Sequence, residues 1–174
     1  MIVANINKQI NQIALLSIPR DTQVTYKHHG TVKINSIARL GGSYLETSAV
    51  VETLIGQKID GFVVSNFAGF KKIVDIVGGI TIDVEKDMQY HTGDPEDGEI
   101  NLKKGVQRLN GDQALQYARF RNDELADIAR TVRQQKVLKA LATEILQLKN
   151  IPKMPQIVHQ IYQAVDTNLG ITEL

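Results

Sequence analysis

The order of apolar and polar positions predicts that the chain begins with two short β-strands. Ile2–Ile6 and Ile13–Ile18 are apolar runs, and a mostly polar connection, residues 7–12, separates them. Pro19 ends the second run, because proline has no N–H to donate to a neighbouring strand. The two runs together predict a β-hairpin, and Val24–Tyr26 predicts that the second strand resumes beyond the turn.

Beyond the hairpin, apolar positions recur mostly at helical spacing. This spacing, with its N-cap and glycine end signals, predicts helices over residues 33–40, 43–55, 67–77, 109–119, 126–148 and from the prolines at 152 and 155 to about 170. A buried strand is predicted at 61–64, a half-buried one at 80–84, and an acidic loop at 91–100. Strands that alternate with helices after a hairpin predict an α/β layered domain with a mixed sheet.

Composition narrows the class of protein. The 174 residues fit one domain with a core of its own, and no apolar run reaches the ~20 residues of a membrane-spanning helix. The net charge of +1 argues against binding nucleic acid through bulk electrostatics. The absence of cysteine excludes disulfides, thiolate metal sites and a cysteine nucleophile. The four histidines lack metal-ligand spacing, and no nucleotide-binding or hydrolase motif is present.

The helix predicted over 126–148 has polar side chains on its apolar face. At ~100° per residue, one arc of this helix contains the apolar residues Val137, Leu138, Leu141, Ile145 and Leu148. Asp127, Arg130 and Gln134 fall within the same arc. Charged side chains are rarely fully buried without a partner. The arc therefore predicts either a buried Asp127–Arg130 ion pair or a polar cavity lined by the first half of the helix.

Two arginines lie just upstream of this helix. Arg119 and Arg121 are separated by one residue, so in an extended segment their side chains would point the same way. Converging guanidinium groups repel each other unless an anion lies between them, and the planar guanidinium fits phosphate oxygens well. The pair therefore indicates either a phosphate site or an ordinary solvated loop. Because the pair lies just upstream of the helix, it favours the interpretation that the first half of the helix lines a polar cavity.

A second group of candidates follows the second strand. Arg20 and Asp21 lie just past a strand end, the position where open α/β sheets bind ligands. Asp21 is a candidate ligand for a divalent cation and Arg20 for a phosphate, whereas the alternative is an ordinary turn. Lys33 and Asn35 lie before a predicted helix and Arg39 one turn later, so these three are either surface residues or anion binders.

Taken in order, several blocks of residues resemble the LytR-CpsA-Psr family of cell-envelope proteins. The blocks are Leu16–Thr22, Lys33–Ala38 with Gly41 and Gly42, Val74–Ile80, Leu109–Leu115, and Ala118–Arg121 followed by Asp127–Arg130 and Arg133–Gln135. The resemblance runs from the first strand to about Leu148, which is most of the chain. Because the blocks keep their order and spacing, the resemblance is highly specific.

The resemblance implies a fold and a location. We expect an α/β fold in which a mixed, largely antiparallel central sheet is sandwiched by helices, with an apolar lipid channel. Residues 1–174 would form a single catalytic domain on the extracytoplasmic face of the bacterial membrane, anchored by a helix that precedes Met1. Six apolar residues are candidates for the channel lining, although core is the stronger expectation for each: Leu45, Val50, Leu54, Phe62, Phe67 and Phe70.

The resemblance also implies an activity. Family members are phosphotransferases that attach an anionic glycopolymer, such as teichoic acid or capsular polysaccharide, to peptidoglycan. The donor is linked to undecaprenyl pyrophosphate, and Mg²⁺ is the usual cofactor. Carried over motif by motif, pyrophosphate binding is implied for Arg20, Lys33, Arg39, Arg119, Arg121, Arg130 and Gln134. Catalytic roles are implied for Arg20, Asp21, Arg121, Asp127 and Arg130. Asp21 and Asp127 are the implied metal ligands, and a further one is expected in an Arg-x-Asp motif upstream of Met1.

Three other functions compete with this one. A polyprenyl-pyrophosphate hydrolase would use the same anion site with water as the acceptor. A non-catalytic regulator of the envelope would bind the lipid phosphate without turnover. DNA binding is the weakest of the three, because the charge is near neutral and no recognition-helix pattern is present.

Overall fold

The computed structural model describes most of the chain. It describes all residues except 8, 11, 92, 94–98, 123–125, 148–149, 151, 153 and 174, and it describes no side chain at 126 and 127. The described residues form two compact units, Met1–Phe62 and Val63–Leu174, which we call unit 1 and unit 2. The assignment of residues 1–174 to one catalytic domain stays a prediction.

Unit 1 begins with the predicted hairpin. Its four strands are β1 (Ile2–Asn7), β2 (Gln12–Ser17), β3 (Gln23–Thr25) and β4 (Thr31–Lys33). β1 pairs with β2 and β3 with β4, both antiparallel. Pro19 lies between β2 and β3, as expected of a residue that cannot donate to a ladder.

The remainder of unit 1 contains one α-helix and short 3₁₀ turns among turns and irregular segments. Helix α1 (Tyr44–Ile55) begins as predicted at Ser43, whose hydroxyl accepts from the Glu46 N–H in a capping box. The helix predicted over 33–40 is wrong, because Lys33 belongs to β4 and two short 3₁₀ turns follow, Ile34–Ser36 and Ala38–Leu40. Ile34 and Ile37 are both buried, and the 3₁₀ geometry aligns side chains three residues apart.

A small apolar core holds unit 1 together. It contains Ile18, Val24, Tyr26, Ile34, Ile37 and Val51, and Val3, Val32, Val50, Ile55 and Ile59 pack against it. These residues come from the strands, the 3₁₀ turns and α1. The core therefore holds the turn between β2 and β3 next to the 3₁₀ turn Ile34–Ser36. The charged residues predicted for a site in unit 1, Arg20, Asp21 and Lys33, lie in this region.

Unit 2 contains six strands and four helices among its described residues. In chain order they are β5 (Val63–Val64), α2 (Phe67–Ile76), β6 (Ile80–Val84), β7 (Met88–His91), β8 (Glu99–Leu102), β9 (Gly105–Leu109), α3 (Gly111–Arg119), α4 (Ala126–Ile145), α5 (Met154–Tyr162) and β10 (Asp166–Thr167). The pairs β5–β10, β6–β9 and β7–β8 are all antiparallel.

Several predicted boundaries in unit 2 are wrong. The loop expected over 91–100 is shorter, because His91 and Glu99 are paired residues of the β7–β8 hairpin; residues 92 and 94–98 lie outside the described part. The last helix ends at Tyr162 instead of near Gly170, because the chain returns to pair with β5. β5 is not buried as predicted, since Val63 is 53% exposed.

The larger apolar core lies in unit 2. Its fully buried members include Val74, Ile80, Val84, Leu109 and Tyr117, contributed by α2, β6, β9 and α3. Alternate residues of β6 are buried, as its half-buried pattern predicted. Val137 of α4 and Ile157 of α5 complete this core. Helices α2, α3 and α4 pack on β6 and β9. This packing positions the end of α3, with Arg119, and the first half of α4, with Arg130.

Three of the apolar residues assigned to the core are not core residues. Leu45 and Leu54 of α1 are 59% and 45% exposed, and Phe67 of α2 is 53% exposed. Val50 and Phe70 are partly buried and pack against the cores of their units. The prediction of an α/β fold with largely antiparallel strands is confirmed. No helix in the described part of the chain is long and apolar enough to cross a membrane.

Candidate functional site

In unit 1 the structure brings three of the predicted site residues together around one carboxylate. Asp21 Oδ1 lies 3.0 Å from Lys33 Nζ, and Asp21 Oδ2 lies 3.6 Å from Arg20 Nε. All three side chains are about half exposed. The ion pair with Lys33 follows from strand register, because Lys33 is paired with Gln23 at the end of β4 and this places it beside the preceding turn.

Backbone hydrogen bonds hold this turn in place. The Thr22 hydroxyl donates to the Pro19 carbonyl at 2.8 Å, and the Ile34 N–H donates to the Thr22 carbonyl at 2.9 Å. The Asn35 N–H donates to the Arg20 carbonyl at 3.2 Å. The segment is therefore a turn, as the simpler interpretation held, but a turn that carries a fixed cluster of one carboxylate and two cations.

The charges in this cluster are coupled. A hydrogen bond from the Lys33 ammonium, together with the nearby Arg20 guanidinium, lowers the pKa of Asp21 below its ordinary value. Asp21 therefore stays ionised and orients both cations toward solvent. Arg39 lies in the second 3₁₀ turn and is exposed. An exposed pair of oriented cations is suited to bind a phosphate oxygen anion.

In unit 2 the predicted arginine pair lies at the end of α3. Arg119 is the last residue of α3, and its guanidinium lies over the Phe67 ring, 4.7 Å from the ring centroid. Phe120 leaves the helix with φ −56° and ψ 131°, and Arg121 follows it exposed to solvent. Since Arg119 is helical, the pair does not lie in one extended segment as the prediction assumed.

The other predicted residues of unit 2 lie in the first half of α4. Arg130 and Gln134 are half-buried, one turn apart. Asp127 is in α4, but its side chain lies outside the described part, so its ion pair with Arg130 and its role as a metal ligand stay predictions. A buried charge that the structure shows on this helix is Arg133, a residue that the prediction did not include.

Arg133 is the functional candidate that sequence reasoning missed. It is 2% exposed, and its Nε donates to Glu85 Oε1 at 2.7 Å. Its Nη1 donates to the Phe120 carbonyl at 3.1 Å, and its guanidinium lies 5.1 Å from the Phe120 ring centroid. Arg133 lies four residues from Val137 on α4, so the helical wheel contained the signal, but the partner Glu85 is remote in sequence.

Glu85, whose side chain is 38% exposed, is the acceptor that this network shares. Its second oxygen accepts from the Tyr117 hydroxyl at 2.9 Å and lies 3.5 Å from Lys136 Nζ. Partial burial acts to raise the pKa of Glu85, but hydrogen bonds from the backbone, Tyr117 and Arg133 outweigh it and lower the pKa. Burial, followed by the Glu85 carboxylate, raises the pKa of Tyr117. Glu85 is therefore ionised and Tyr117 neutral at physiological pH.

Each unit thus contains some of the predicted site residues. The structure brings Arg20, Asp21 and Lys33 together in unit 1. In unit 2, the end of α3 and the first half of α4 are connected through Arg133. Among the described side chains there is no group of three or more histidine, aspartate or glutamate residues that could hold a metal ion. The arrangement supplies fixed, half-exposed cations, which suits recognition of a phosphate or pyrophosphate.

Comparison with known proteins shows which family and which relatives the chain resembles. The model of the LytR_cpsA_psr family matches residues 1–174. The polyisoprenyl-teichoic acid–peptidoglycan teichoic acid transferase TagV of Bacillus subtilis (strain 168) is 37% identical over 177 residues, which cover 99% of this chain and 45% of TagV. The regulatory protein MsrR of Staphylococcus aureus (strain COL) is 36% identical over 94% of this chain and 48% of MsrR. The chain spans about half the length of these relatives.

Solved structures share the fold. The crystal structure of B. subtilis TagV matches with a TM-score of 0.83 and 35% identity, covering 99% of this chain and 66% of that chain. The structure of TagT bound to LIIa-WTA matches with a TM-score of 0.81 and 28% identity, covering 99% of this chain and 64% of that one. Both matches extend over almost every residue of the present chain.

Proposed function

The chain belongs to the LytR_cpsA_psr family, and on that premise we propose that it transfers an anionic glycopolymer from a polyprenyl-pyrophosphate carrier to peptidoglycan. The observation that carries the proposal is the cluster of Arg20, Lys33 and Asp21, in which one ionised carboxylate orients two half-exposed cations. The similarity to TagV, a teichoic acid transferase by name, supports the polymer class.

In the proposed reaction a hydroxyl of peptidoglycan attacks the phosphorus that carries the sugar. The new P–O bond forms as the bond to the lipid phosphate breaks, so the sugar phosphate is transferred and the polyprenyl phosphate leaves with the electron pair. The hydroxyl proton passes to a base, for which Asp21 and Asp127 are the candidates. Phosphoryl transfer depends mainly on positioning and charge stabilisation, which fixed arginines supply at any working pH.

We propose that each unit contains side chains that can bind a phosphate. In unit 1 these are Arg20, Lys33 and Arg39, and in unit 2 they are the cations Arg119, Arg121 and Arg130 and the neutral amide of Gln134. Arg119 is already held over the Phe67 ring, so its guanidinium is partly ordered before a ligand binds. A guanidinium that is ordered in advance loses less entropy on binding than a free one.

Mg²⁺ is the cofactor that we propose for this site. Asp21 is a hard oxygen donor and half exposed, and Mg²⁺ is commonly held by one or two carboxylates together with substrate phosphates and water. The donor chemistry therefore fits, with Asp21 as the ligand among the described side chains and Asp127 as the second. When bound, the ion would neutralise charge on the pyrophosphate.

We further propose that exposed apolar side chains receive the polyprenyl tail. Leu45 and Leu54 are both exposed on α1, although apolar side chains of this size are usually buried. At ~100° per residue the two leucines lie on opposite sides of α1, so each is a separate candidate contact for the tail. We propose that the reaction takes place at the extracytoplasmic face of the membrane, where the anchor that the resemblance implies would hold the protein.

The test of the proposed function is a transfer assay with a lipid-linked donor. The protein is incubated with an undecaprenyl-pyrophosphate-linked teichoic acid precursor and Mg²⁺, with and without peptidoglycan fragments, and the products are analysed by mass spectrometry. A phosphodiester-linked adduct supports the proposal, and Asp21→Asn is expected to reduce it at least about tenfold. Exposed ion pairs contribute only about 1 kcal/mol or less, so this variant should remain folded.

The same assay separates two other functions. Release of the glycan without an adduct would indicate a hydrolase. Binding of the donor without any turnover would favour a regulator, which the similarity to the regulatory protein MsrR keeps as the second candidate. The matched control is Lys58→Ala, because Lys58 is 91% exposed and pairs only at the surface with Glu52 among the described contacts.

A further inference from the structure

We propose that Arg133 is a positioning residue that fixes the Arg119–Arg121 segment relative to α4. This inference rests on the proposed function, because it concerns how the pyrophosphate-binding cations of unit 2 are held. The observation is that Arg133, on α4, donates to the carbonyl of Phe120, the residue between the two arginines, at 3.1 Å. Arg130 and Gln134 lie on the same helix as Arg133.

The bond to Phe120 is one of several that hold this segment. The Lys86 ammonium lies over the Phe120 ring, 5.3 Å from the ring centroid. Lys86 Nζ also donates to the Asn122 carbonyl at 3.4 Å. Tyr117, two residues before Arg119, donates to Glu85. Glu85 and Lys86 follow β6 directly. Residues at the end of β6 and on α4 therefore both contact the end of α3.

Burial of Arg133 makes this connection specific. Its side chain is 3% exposed, and two of its nitrogens are used at once, one on Glu85 and one on the Phe120 carbonyl. A buried cation needs such partners, because an unpaired one carries a large desolvation penalty. A planar guanidinium can bridge two acceptors in fixed directions, whereas an ammonium is a point charge. The geometry therefore assigns Arg133 a role that lysine does not reproduce.

The consequence concerns the spacing of the binding groups. Arg119 and Arg121 flank Phe120, and Arg130 and Gln134 lie within three residues of Arg133 on α4. Through Arg133 the distance between these two sets becomes a fixed property of the fold. A displacement of about 1 Å in a binding or catalytic group can reduce a rate by about a hundredfold. Arg133 would thus act on the site without contacting the ligand.

The test compares Arg133 with another arginine whose ion pair reaches α4. Arg133→Gln and Arg108→Gln each remove a guanidinium paired with a glutamate, but Arg108 pairs with Glu144 at the far end of α4. Binding of undecaprenyl pyrophosphate in detergent micelles is measured by calorimetry. We expect Arg133→Gln to weaken binding about tenfold or more and Arg108→Gln less than about twofold. Equal losses in both variants would overturn the inference.

Two further measurements keep the test decisive. Arg133→Lys retains the charge beside Glu85, so it should recover thermal stability but not affinity. Full recovery of affinity would contradict the role given to the planar guanidinium. Amide hydrogen exchange at residues 119–122, measured without ligand, should accelerate in Arg133→Gln and not in Arg108→Gln, and unchanged exchange overturns the inference. If the wild-type protein itself does not bind the lipid, the proposed function fails, while the exchange comparison still decides the role of Arg133.

Discussion

Arg108 and Glu144 form a two-point ion pair between β9 and α4. Arg108 Nη1 and Nη2 donate to the two Glu144 oxygens at 2.5 and 2.7 Å. Glu144 is 3% exposed, whereas 40% of the Arg108 side chain is exposed. Arg108 Nε also donates to the Gly78 carbonyl at 3.1 Å. The pair therefore joins the second half of α4 to β9 and to the turn before β6.

Removal of one member of this pair should destabilise unit 2. Arg108→Gln leaves the buried Glu144 carboxylate without its charged partner, and such losses reach about 3–5 kcal/mol for fully buried pairs. Because Arg108 is partly exposed, we expect about 2–3 kcal/mol, measured by urea denaturation followed by circular dichroism. The double variant Arg108→Gln with Glu144→Gln should be more stable than Arg108→Gln alone. A single variant as stable as the wild type would contradict the prediction.

Gly111 makes the second stability prediction. A Cβ at this position would lie 2.4 Å from the Lys71 carbonyl oxygen and 2.7 Å from the Lys71 Cα, so α2 and α3 touch through backbone. Gly111→Ala must push the helices apart, and we expect a loss of about 1–3 kcal/mol in the free energy of unfolding. The control is Gly56→Ala, where a Cβ meets nothing within 4 Å but φ is +67°, so only the smaller backbone strain applies.

Glu46 provides a pH dependence in unit 1. A hydrogen bond from the Lys27 ammonium, with further donors at the Ser43 N–H and the Tyr26 hydroxyl, lowers the pKa of Glu46 from 4.5 to about 2. A carboxylate with a lowered pKa stabilises the fold above its unfolded pKa and loses this contribution as the pH falls through the folded value. The wild type should therefore lose stability between about pH 4.5 and 2.

The measurement compares two melting curves. The melting temperature of the wild type is followed from pH 6 to about pH 2 beside that of Glu46→Gln, which cannot titrate. We expect the difference in melting temperature between the two proteins to shrink as the pH falls. Protonation of Glu46 removes from the wild type the ion pair with Lys27 that the substitution has already removed. A difference that stays constant across this range would show that Glu46 titrates as an ordinary carboxyl.

The arginines at the end of α3 and on α4 give a binding prediction. Arg121→Ala and Arg130→Ala should each weaken the binding of undecaprenyl pyrophosphate about tenfold or more, since a charge-assisted hydrogen bond contributes roughly 1.5–3 kcal/mol. Both variants should melt near the wild-type temperature. Lys103→Ala is the matched control, because this exposed cation pairs with Asp87 in the β-hairpin region. Unfolding of Arg130→Ala would indicate that Arg130 is structural, as in the predicted Asp127–Arg130 ion pair.

Much of the fold follows from local pattern. The hairpin of β1 and β2, the N-cap at Ser43 and the alternating burial of β6 are all features of residues close in sequence, and each is predicted. The pattern failed at 33–40, where the two buried isoleucines are compatible with either an α-helix or 3₁₀ turns. The choice depends on the pairing of Lys33 with Gln23, which is a contact at a distance in sequence.

The candidate site was predictable only where its members are close in sequence or belong to a motif. Arg20 and Asp21 are neighbours and form the predicted cluster. The network of Glu85 and Arg133 joins residues 48 apart, and nothing in the sequence around Glu85 distinguishes it from other exposed acids. This ion pair joins the interior of α4 to the residue after β6, so the partner of Arg133 is known only from the three-dimensional structure.

The pairing of β5 with β10 has a consequence for how unit 2 can be cut and rejoined. Val63–Val64 open the unit, and Asp166–Thr167 pair with them after four helices have intervened. A protein shortened after Tyr162 would leave the opening strand with an unmatched edge, which invites pairing with another molecule. The closeness of the two ends also makes the unit a suitable scaffold for circular permutation, with a short linker joining the residues after Thr167 to Val63.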